Sequence, residues 1–322
     1  MPNKTVVISG ANGYFGGIAS QYFQEQGWSV LKATRQTGAD IYCDLDHPEQ
    51  LSTTKTDYHA DVFIHAAAAH EVTCREQPYR SIFYNVAGTK AALDFCVLNN
   101  IQHFVYLSTF HVFGNPQGII DESTVPCPLN DYGLSHLQAE QYVQMYNKAK
   151  KVKGLVVRPS NFFGIPANLQ ACDRWSLIPL AFCREAVETN KIILKTAGLQ
   201  ERNFVSVQDI CEAIEKAVDV EDLETLHVFG QDTLSVKGLA ELVQTVMRDE
   251  LGKDISIKSP PISHVQSPQD ITSFTYTSLY LHKLMQSKDK TKDFIATLCV
   301  TLSRLNLSGC RSGQTRKLSV DA

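Results

Sequence analysis

Three glycines spaced three apart, Gly10, Gly13 and Gly16, lie in the run Ser9-Gly10-Ala11-Asn12-Gly13-Tyr14-Phe15-Gly16-Gly17. An apolar, β-branched segment, Thr5–Ser9, precedes the run and a helix-like segment follows it. Glycine at those places lets the backbone turn tightly and come close to a pyrophosphate. The anion then meets the free N–H groups and the positive dipole end of the helix. The spacing alone is weak evidence; its place between a first strand and a first helix points to a dinucleotide. The second β-rich segment ends Lys32-Ala33-Thr34-Arg35, without the acid that holds ribose hydroxyls at an NAD site. A hydroxyl followed by a guanidinium suits a 2′-phosphate, which Arg can pair bidentately. NADP is thereby favoured over NAD, with Arg35 as a plain surface residue the alternative. Asp44, after Ile41-Tyr42-Cys43, is placed to meet the adenine ring.

Further along, Ser108-Thr109-Phe110-His111-Val112-Phe113-Gly114 follows the fifth strand-like segment, and Tyr132-Gly133-Leu134-Ser135-His136 opens a helix about 20 residues later. Other motifs are His65-Ala66-Ala67-Ala68, Asn85-Val86-Ala87-Gly88-Thr89 and Arg158-Pro159-Ser160-Asn161-Phe162-Phe163-Gly164. To these add Arg202-Asn203-Phe204-Val205-Ser206-Val207-Gln208-Asp209 and His227-Val228-Phe229-Gly230. In order and spacing, over residues 3–285, the chain resembles the extended short-chain dehydrogenase/reductases, the NAD-dependent epimerase/dehydratases that act on nucleotide sugars.

The resemblance implies roles residue by residue. Tyr132 is similar to the acid/base that exchanges a proton with a sugar hydroxyl or ketone, and Thr109 to the hydroxyl that hydrogen-bonds the same oxygen. A hydroxyl donor suits an oxygen that gains negative charge in the transition state. Dinucleotide contacts are expected from Gly10, Asn12, Gly13, Tyr14, Phe15 and Gly16, and from Thr34, Arg35, Asp44 and Leu45 beyond the second strand. Ala66, Ala67, Ser108, Tyr132, His136 and Pro159 complete that set. His111, Asn161 and Arg202 are expected to face the substrate, with Arg202 where the family often holds nucleotide phosphates.

One position departs from the family. Four residues past the tyrosine, where lysine is usual, stands His136. Residues i and i+4 share a helix face, so position 136 still lies beside Tyr132. A lysine's fixed charge lowers the tyrosine pKa from about 10, whereas a histidine of ordinary pKa about 6.5 is largely neutral at pH 7. His136 can still donate one hydrogen bond to ribose, which places turnover rather than fold in question. Phe110-His111 stands where the family's dehydratases carry Asp-Glu, which argues against dehydration. Ser176 before Leu177-Ile178-Pro179 stands where the fucose-synthase-like enzymes place histidine, which leaves double epimerisation unsupported. His111 as an acid/base is set against His111 as a packing residue, the commoner use.

Elements must position these residues. Thr5–Ser9, Ser29–Thr34 and residues 61–65, 103–108 and 154–159 read as strands; residues 16–27, 81–99 and 132–150 read as helices. Such alternation predicts an α/β fold, a Rossmann doubly wound parallel sheet with a smaller C-terminal substrate lobe. Residues 1–165 with 205–230 form the expected dinucleotide domain, and 166–204 with 231–290 the substrate lobe. After residue 160, helices are expected near 178–187, 209–218 and 237–248 and a strand near 191–195. Residues 291–322 read as a tail, disordered from Ser308 onward.

At 322 residues, 43% hydrophobic and 20% charged, the chain has an ordinary globular composition. A net charge of −4 carries no basic footprint for nucleic acid, although residues 283–322 hold eight basic side chains against three acidic ones. No segment reads as a signal peptide or membrane span. Nine scattered cysteines without a Cys-x-x-Cys predict reduced thiols in a cytoplasm and no metal site. The expectation is an NAD(P)-dependent oxidoreductase or epimerase at a hydroxyl/keto carbon of a nucleotide sugar, assembled as a homodimer without nucleic acid or membrane partner. Within it, 4-keto reduction ranks ahead of C4 epimerisation. The alternative is a dinucleotide-binding regulatory protein that has lost catalysis.

Overall fold

Strand-forming residues run with little polar interruption through the segments that build one parallel sheet. The computed structural model describes residues 4–260 and 274–311, with side chains as far as Leu305. The first half runs β1 (Thr5–Ser9), α1 (Tyr14–Glu25), β2 (Ser29–Thr34), β3 (Ile41–Tyr42), α2 (Pro48–Thr53), β4 (Val62–His65) and α3 (Glu71–Glu76). It continues with α4 (Pro78–Ile82), α5 (Gly88–Leu98), β5 (His103–Leu107), β6 (Gly118–Ile120), α6 (Asp131–Lys148) and β7 (Lys153–Pro159). Then follow β8 (Asn161–Phe163), α7 (Ile178–Thr189), β9 (Lys191–Ile193), β10 (Glu201–Ser206), α8 (Val207–Ala217), β11 (Thr225–Val228) and β12 (Asp232–Ser235). The described chain closes with α9 (Val236–Leu251), β13 (Ser256–Lys258), β14 (Phe274–Tyr276), α10 (Leu281–Leu284) and α11 (Thr291–Arg311).

Seven strands form the main sheet in the order β11-β7-β5-β4-β1-β2-β3, every neighbouring pair parallel. Side chains alternate between its faces. Val6 and Ile8 of β1, Ile64 of β4 and Val105 of β5 enter one core with α1 and α8. Val7, Phe63, Phe104 and Tyr106 enter a second core with α5 and α6. Burial on both faces requires helices on both sides, and the result is the doubly wound sheet that the alternation predicts. The order turns between β1 and β4, so the carboxyl ends of those strands open a crevice for a ligand. Three small sheets, β12-β10-β8, β13-β9 and β14-β6, lie outside the main one.

Two expectations are corrected. Residues 81–99 do not form one regular helix. A π-helical turn, Phe83–Ala87, joins α4 to α5 and brings Asn85 into the interior. There its Oδ1 accepts from Ala69 N at 2.7 Å and its Nδ2 donates to Ser135 Oγ at 2.9 Å. The segment after residue 290 is not a tail, because Thr291–Arg311 is a helix packed on α7 and α9. Phe294, Ile295, Leu298 and Cys299 are buried in the first core. Helix persists through residues 308–311, where disorder was expected; the remainder of that stretch, 312–322, lies outside the described residues.

α6 is fixed from beneath. Its Glu140 meets Arg158 at the end of β7, with Arg158 Nη2 2.6 Å from Oε2 and Nε 3.0 Å from Oε1. Both side chains are buried, at 0% and 4% exposure. Ser108, just past β5, also donates to this carboxylate. Leaving either charge without its partner costs about 3–5 kcal/mol. Glu140→Ala should therefore lower unfolding free energy by that order in urea denaturation, and Glu140→Leu with Arg158→Met should recover much of the loss. A double variant no more stable than the single one would mean that the attraction itself, rather than an orphaned charge, sets the cost.

Candidate active site

Chain direction reverses at the carboxyl end of β1 under steric compulsion. Gly10 has φ +68°, and a Cβ there would lie 3.0 Å from the backbone of Ala67. A Cβ on Gly16 would lie 2.2 Å from Gly10 O. Gly13 N donates to Gly10 O at 2.8 Å, and α1 starts from Gly13 with no side-chain cap and no acid in its first turn. The first N–H groups of α1 are therefore open to an anion. Ser9 Oγ accepts from Ala66 N and Ala67 N at 3.1 and 3.2 Å and shares a 2.8 Å hydrogen bond with His65 Nδ1. That hydroxyl fastens the loop after β4 to the glycine turn. A glycine cradle and an uncapped helix start fit a dinucleotide pyrophosphate.

The outer part of the expected cofactor set is less converged. Asn12, Gly13 and Tyr14 line one cleft together with Lys32, Gln36 and the 166–173 loop, and Asn12 Nδ2 donates to Gln36 Oε1 at 2.8 Å. Phe15 is buried behind the turn. Thr34 is buried at the strand end, its Oγ1 accepting from Gln36 N at 3.3 Å. Arg35 is exposed, and its side chain makes no hydrogen bond or ion pair among the described residues. Asp44 is turned locally, its Oδ1 accepting from Asp46 N at 3.1 Å, and Leu45 packs beside Gly88. Pro159 is buried at the end of β7, and the Ser108 hydroxyl points to Glu140.

The second group converges closely. Thr109, His111, Tyr132, Asn161 and Arg202 line one cleft. Asn130 starts α6, its Oδ1 accepting from Gly133 N at 2.8 Å, and a Cβ on Gly133 would lie 2.5 Å from His111 O. This close approach holds the opening turn of α6 against the Thr109–His111 segment. The Tyr132 ring stands 4.6 Å from His136 and 5.7 Å from His111, edge to face with both. Asn161 Nδ2 donates to Asn203 O at 3.2 Å. Arg202 has a buried Nε without a partner.

Burial dominates the electrostatics. It raises the Tyr132 phenol above its usual range; Arg174 and the Thr109 hydroxyl pull the other way, while Cys74 and Glu71 add to the rise. His136 is 2% exposed. Its Nδ1 shares a 2.7 Å hydrogen bond with the Tyr106 hydroxyl, and its buried Nε2 has no partner. Burial, with smaller effects of His111 and His65, pushes His136 down to about 3. The lysine site is therefore filled by a neutral ring with one nitrogen free. His111 and Arg202 are likewise lowered by burial.

Sequence reasoning missed Glu71 and Arg174, which line the reaction cleft, and Tyr106, which holds His136. Position 106 was readable as the residue beneath His136 only once β5 and α6 had been paired in space. Glu71 and Arg174 sit on a short helix and an aperiodic loop, where no spacing marks them.

His65, pushed down to about 3 by burial, and His136 both stay neutral in the folded chain. In the unfolded chain each titrates near 6.5, so the unfolded state binds more protons below that pH. Folding stability from these two rings is fully present above about pH 6.5 and is lost as pH falls toward 3. Urea midpoints measured from pH 7 to 4 should decline, and His136→Gln should flatten the slope. An equal slope in the variant would place the acid sensitivity elsewhere.

The model of the NAD dependent epimerase/dehydratase family matches residues 6–228. The uncharacterized UDP-glucose epimerase YtcB of Bacillus subtilis is 26% identical over 195 residues, 58% of this chain and 58% of that protein. The chain spans about half the length of curated relatives such as this one and the dTDP-D-glucose 4,6-dehydratase of Mus musculus, of which 52% is covered. Among solved structures, the UDP-glucose 4-epimerase of Thermotoga maritima with UDP-glucose superposes with a TM-score of 0.77 at 17% identity, covering 94% of this chain and 99% of that one. RMD from Pseudomonas aeruginosa, complexed with NADPH, gives 0.77 at 20% identity, covering 94% and 100%. With a glycine cradle, an apposed threonine and tyrosine, and a family model that matches from β1 to β11, the chain belongs to the NAD dependent epimerase/dehydratase family.

Proposed function

We propose that this protein is an NAD(P)-dependent oxidoreductase acting at a hydroxyl/keto carbon of a nucleotide sugar, with 4-keto reduction ahead of C4 epimerisation. The convergence of Thr109, Tyr132 and Arg202 on one cleft carries the reading. Gly10, Gly13, Gly16 and the start of α1 would hold the pyrophosphate, and the free Nε2 of His136 suits a ribose hydroxyl. A bound nicotinamide would supply the hydride, or take it up, at the reacting carbon. Tyr132 exchanges the proton on that carbon's oxygen, and Thr109 donates to the same oxygen as charge develops on it. The phenol, raised by burial, holds its proton at neutral pH and is thus loaded as an acid, the state that reduction of a ketone requires. Arg202, with Nε unsatisfied, suits a phosphate oxygen of the nucleotide.

The relatives support the substrate class, since the Thermotoga maritima structure holds UDP-glucose, and the RMD structure holds NADPH. A homodimer belongs to the same reading. It is supported by exposed Ile82 and Phe83 near α4, Val97 on α5, and Leu134 and Met145 on α6. Neutral His136 favours the rival reading, a dinucleotide-binding regulatory protein without turnover.

Turnover of UDP-, dTDP- and GDP-linked 4-keto sugars with NADPH decides between the two. Tyr132→Phe should keep dinucleotide affinity and lower turnover by about a hundredfold or more. Wild-type protein that binds dinucleotide and turns over neither these sugars nor their 4-hydroxyl counterparts would establish the regulatory reading.

Cofactor choice rests on the end of β2. The wild type should bind NADPH more tightly than NADH, and Arg35→Ala should shrink the difference about tenfold, for the loss of one exposed charge-assisted contact to phosphate. Equal wild-type affinities would remove the argument for NADP.

A further inference from the structure

The cleft is lined by two arginines and one carboxylate. Arg202, on β10, is influenced by the Glu71 carboxylate but leaves its buried Nε without a partner. Arg174, on the loop ahead of α7, lines the same cleft as Tyr132 and Thr109. It is half-buried, and its side chain makes no hydrogen bond or ion pair among the described residues. A half-buried guanidinium held without an acid partner is retained at a cost in solvation, which argues for a task in the cleft.

We infer that Arg174 is a positioning residue for proton transfer, whose guanidinium stabilises the ionised form of Tyr132 from across the cleft, a task that the neutral ring at position 136 cannot perform. The inference rests on Tyr132 being the acid/base of the proposed reaction.

The groups around the phenol leave few other candidates. On α6 itself Asp131 precedes the tyrosine, and His136, neutral and hydrogen-bonded to Tyr106, stacks against its ring. The 3-10 turn Phe110–Phe113 presents His111, also held neutral by burial. α3 presents Glu71 and Cys74, both of which oppose ionisation of the phenol. Of the influences favouring the phenolate, Arg174 is the largest, ahead of the Thr109 hydrogen bond. The cation that favours the phenolate thus approaches from the loop ahead of α7 rather than from the helix that carries the tyrosine. A proton given up by Tyr132 leaves a phenolate facing Arg174, and the charge is met without any group on α6 changing protonation.

The full chain saturated with NAD, titrated by tyrosinate ultraviolet absorbance, tests this without requiring turnover. Subtracting the curve of Tyr132→Phe isolates Tyr132. Arg174→Gln should raise its apparent pKa by about one unit, the low end for losing an opposite charge nearby. Arg174→Lys should keep most of the wild-type value. His136→Lys added to Arg174→Gln should return the titration toward wild type, because a cation one helical turn away replaces the lost one. An unchanged Tyr132 titration in Arg174→Gln overturns the inference. So does a raised KM for nucleotide sugar with an unchanged titration, which would make Arg174 a clamp for a substrate anion. Absent turnover with a shifted titration would instead count against the proposed reaction and leave the electrostatic coupling standing.

Discussion

The buried pair of Glu140 and Arg158 sets where the chemistry can occur. Glu140 lies one helical turn beyond His136 and two beyond Tyr132 on the same face of α6. Its carboxylate is anchored to β7 through Arg158 and to the end of β5 through Ser108. Two desolvated charges held in bidentate geometry tolerate little sliding, because any displacement exposes uncompensated charge to a low dielectric. The register of α6 over the sheet is thereby fixed, and with it the height of the phenol above the crevice. Arg158 is itself braced, its guanidinium over Phe113 at 5.2 Å and its carbonyl accepting from Tyr276 at 2.8 Å. Through Tyr276 the small β14-β6 sheet is coupled to the same anchor.

Above that anchor, the buried groups beneath the phenol are neutral. Ser9, His65, Tyr106 and His136 are all buried, and their hydrogen bonds join β1, β4, β5 and α6 without a fixed charge. Each of the two histidines presents one nitrogen to a partner and leaves Nε2 unsatisfied. Buried polar atoms without partners are uncommon in folded chains. In such surroundings the phenol is costly to ionise, and any nearby cation has a larger effect than it would in water.

Much of this was legible in the sequence because it follows from local periodicity. Alternating burial on a two-sided sheet produces the apolar strand segments, and a turn that excludes Cβ atoms produces Gly10 and Gly16. Tyr132 and Thr109 were found through the family resemblance that their motifs carry, and His136 as the departure from it four residues on, on the same helix face. Other features depend on contacts distant in sequence. Phe294, Ile295, Leu298 and Cys299 do repeat at helical spacing, but lysines before them and basic residues after them obscure the pattern. The π-turn at Phe83–Ala87 has no compositional mark; it is explained only by Asn85 reaching both Ala69 and Ser135. Ser108 has the right position for a cofactor contact, yet its hydroxyl is taken by Glu140, a partner that sequence spacing does not reveal.

Lysine's absence at position 136 can then be traced to what surrounds that position. A lysine there would face Tyr106, His65 and His111, none of which carries a negative charge in the folded state, and the Glu140 carboxylate one turn further along α6 is already paired with Arg158. Histidine fills the same place as a neutral ring, hydrogen-bonded to Tyr106 and stacked edge to face with Tyr132. It leaves one nitrogen without a partner while removing the charge. The glycine turn is untouched by this exchange, because its fit to a pyrophosphate is made by backbone N–H groups and excluded Cβ volume. In the proposed reaction the pyrophosphate cradle and the proton-transferring pair are separate parts of the fold, and a change at position 136 would bear on the ribose contact and on the proton while leaving the backbone cradle in place.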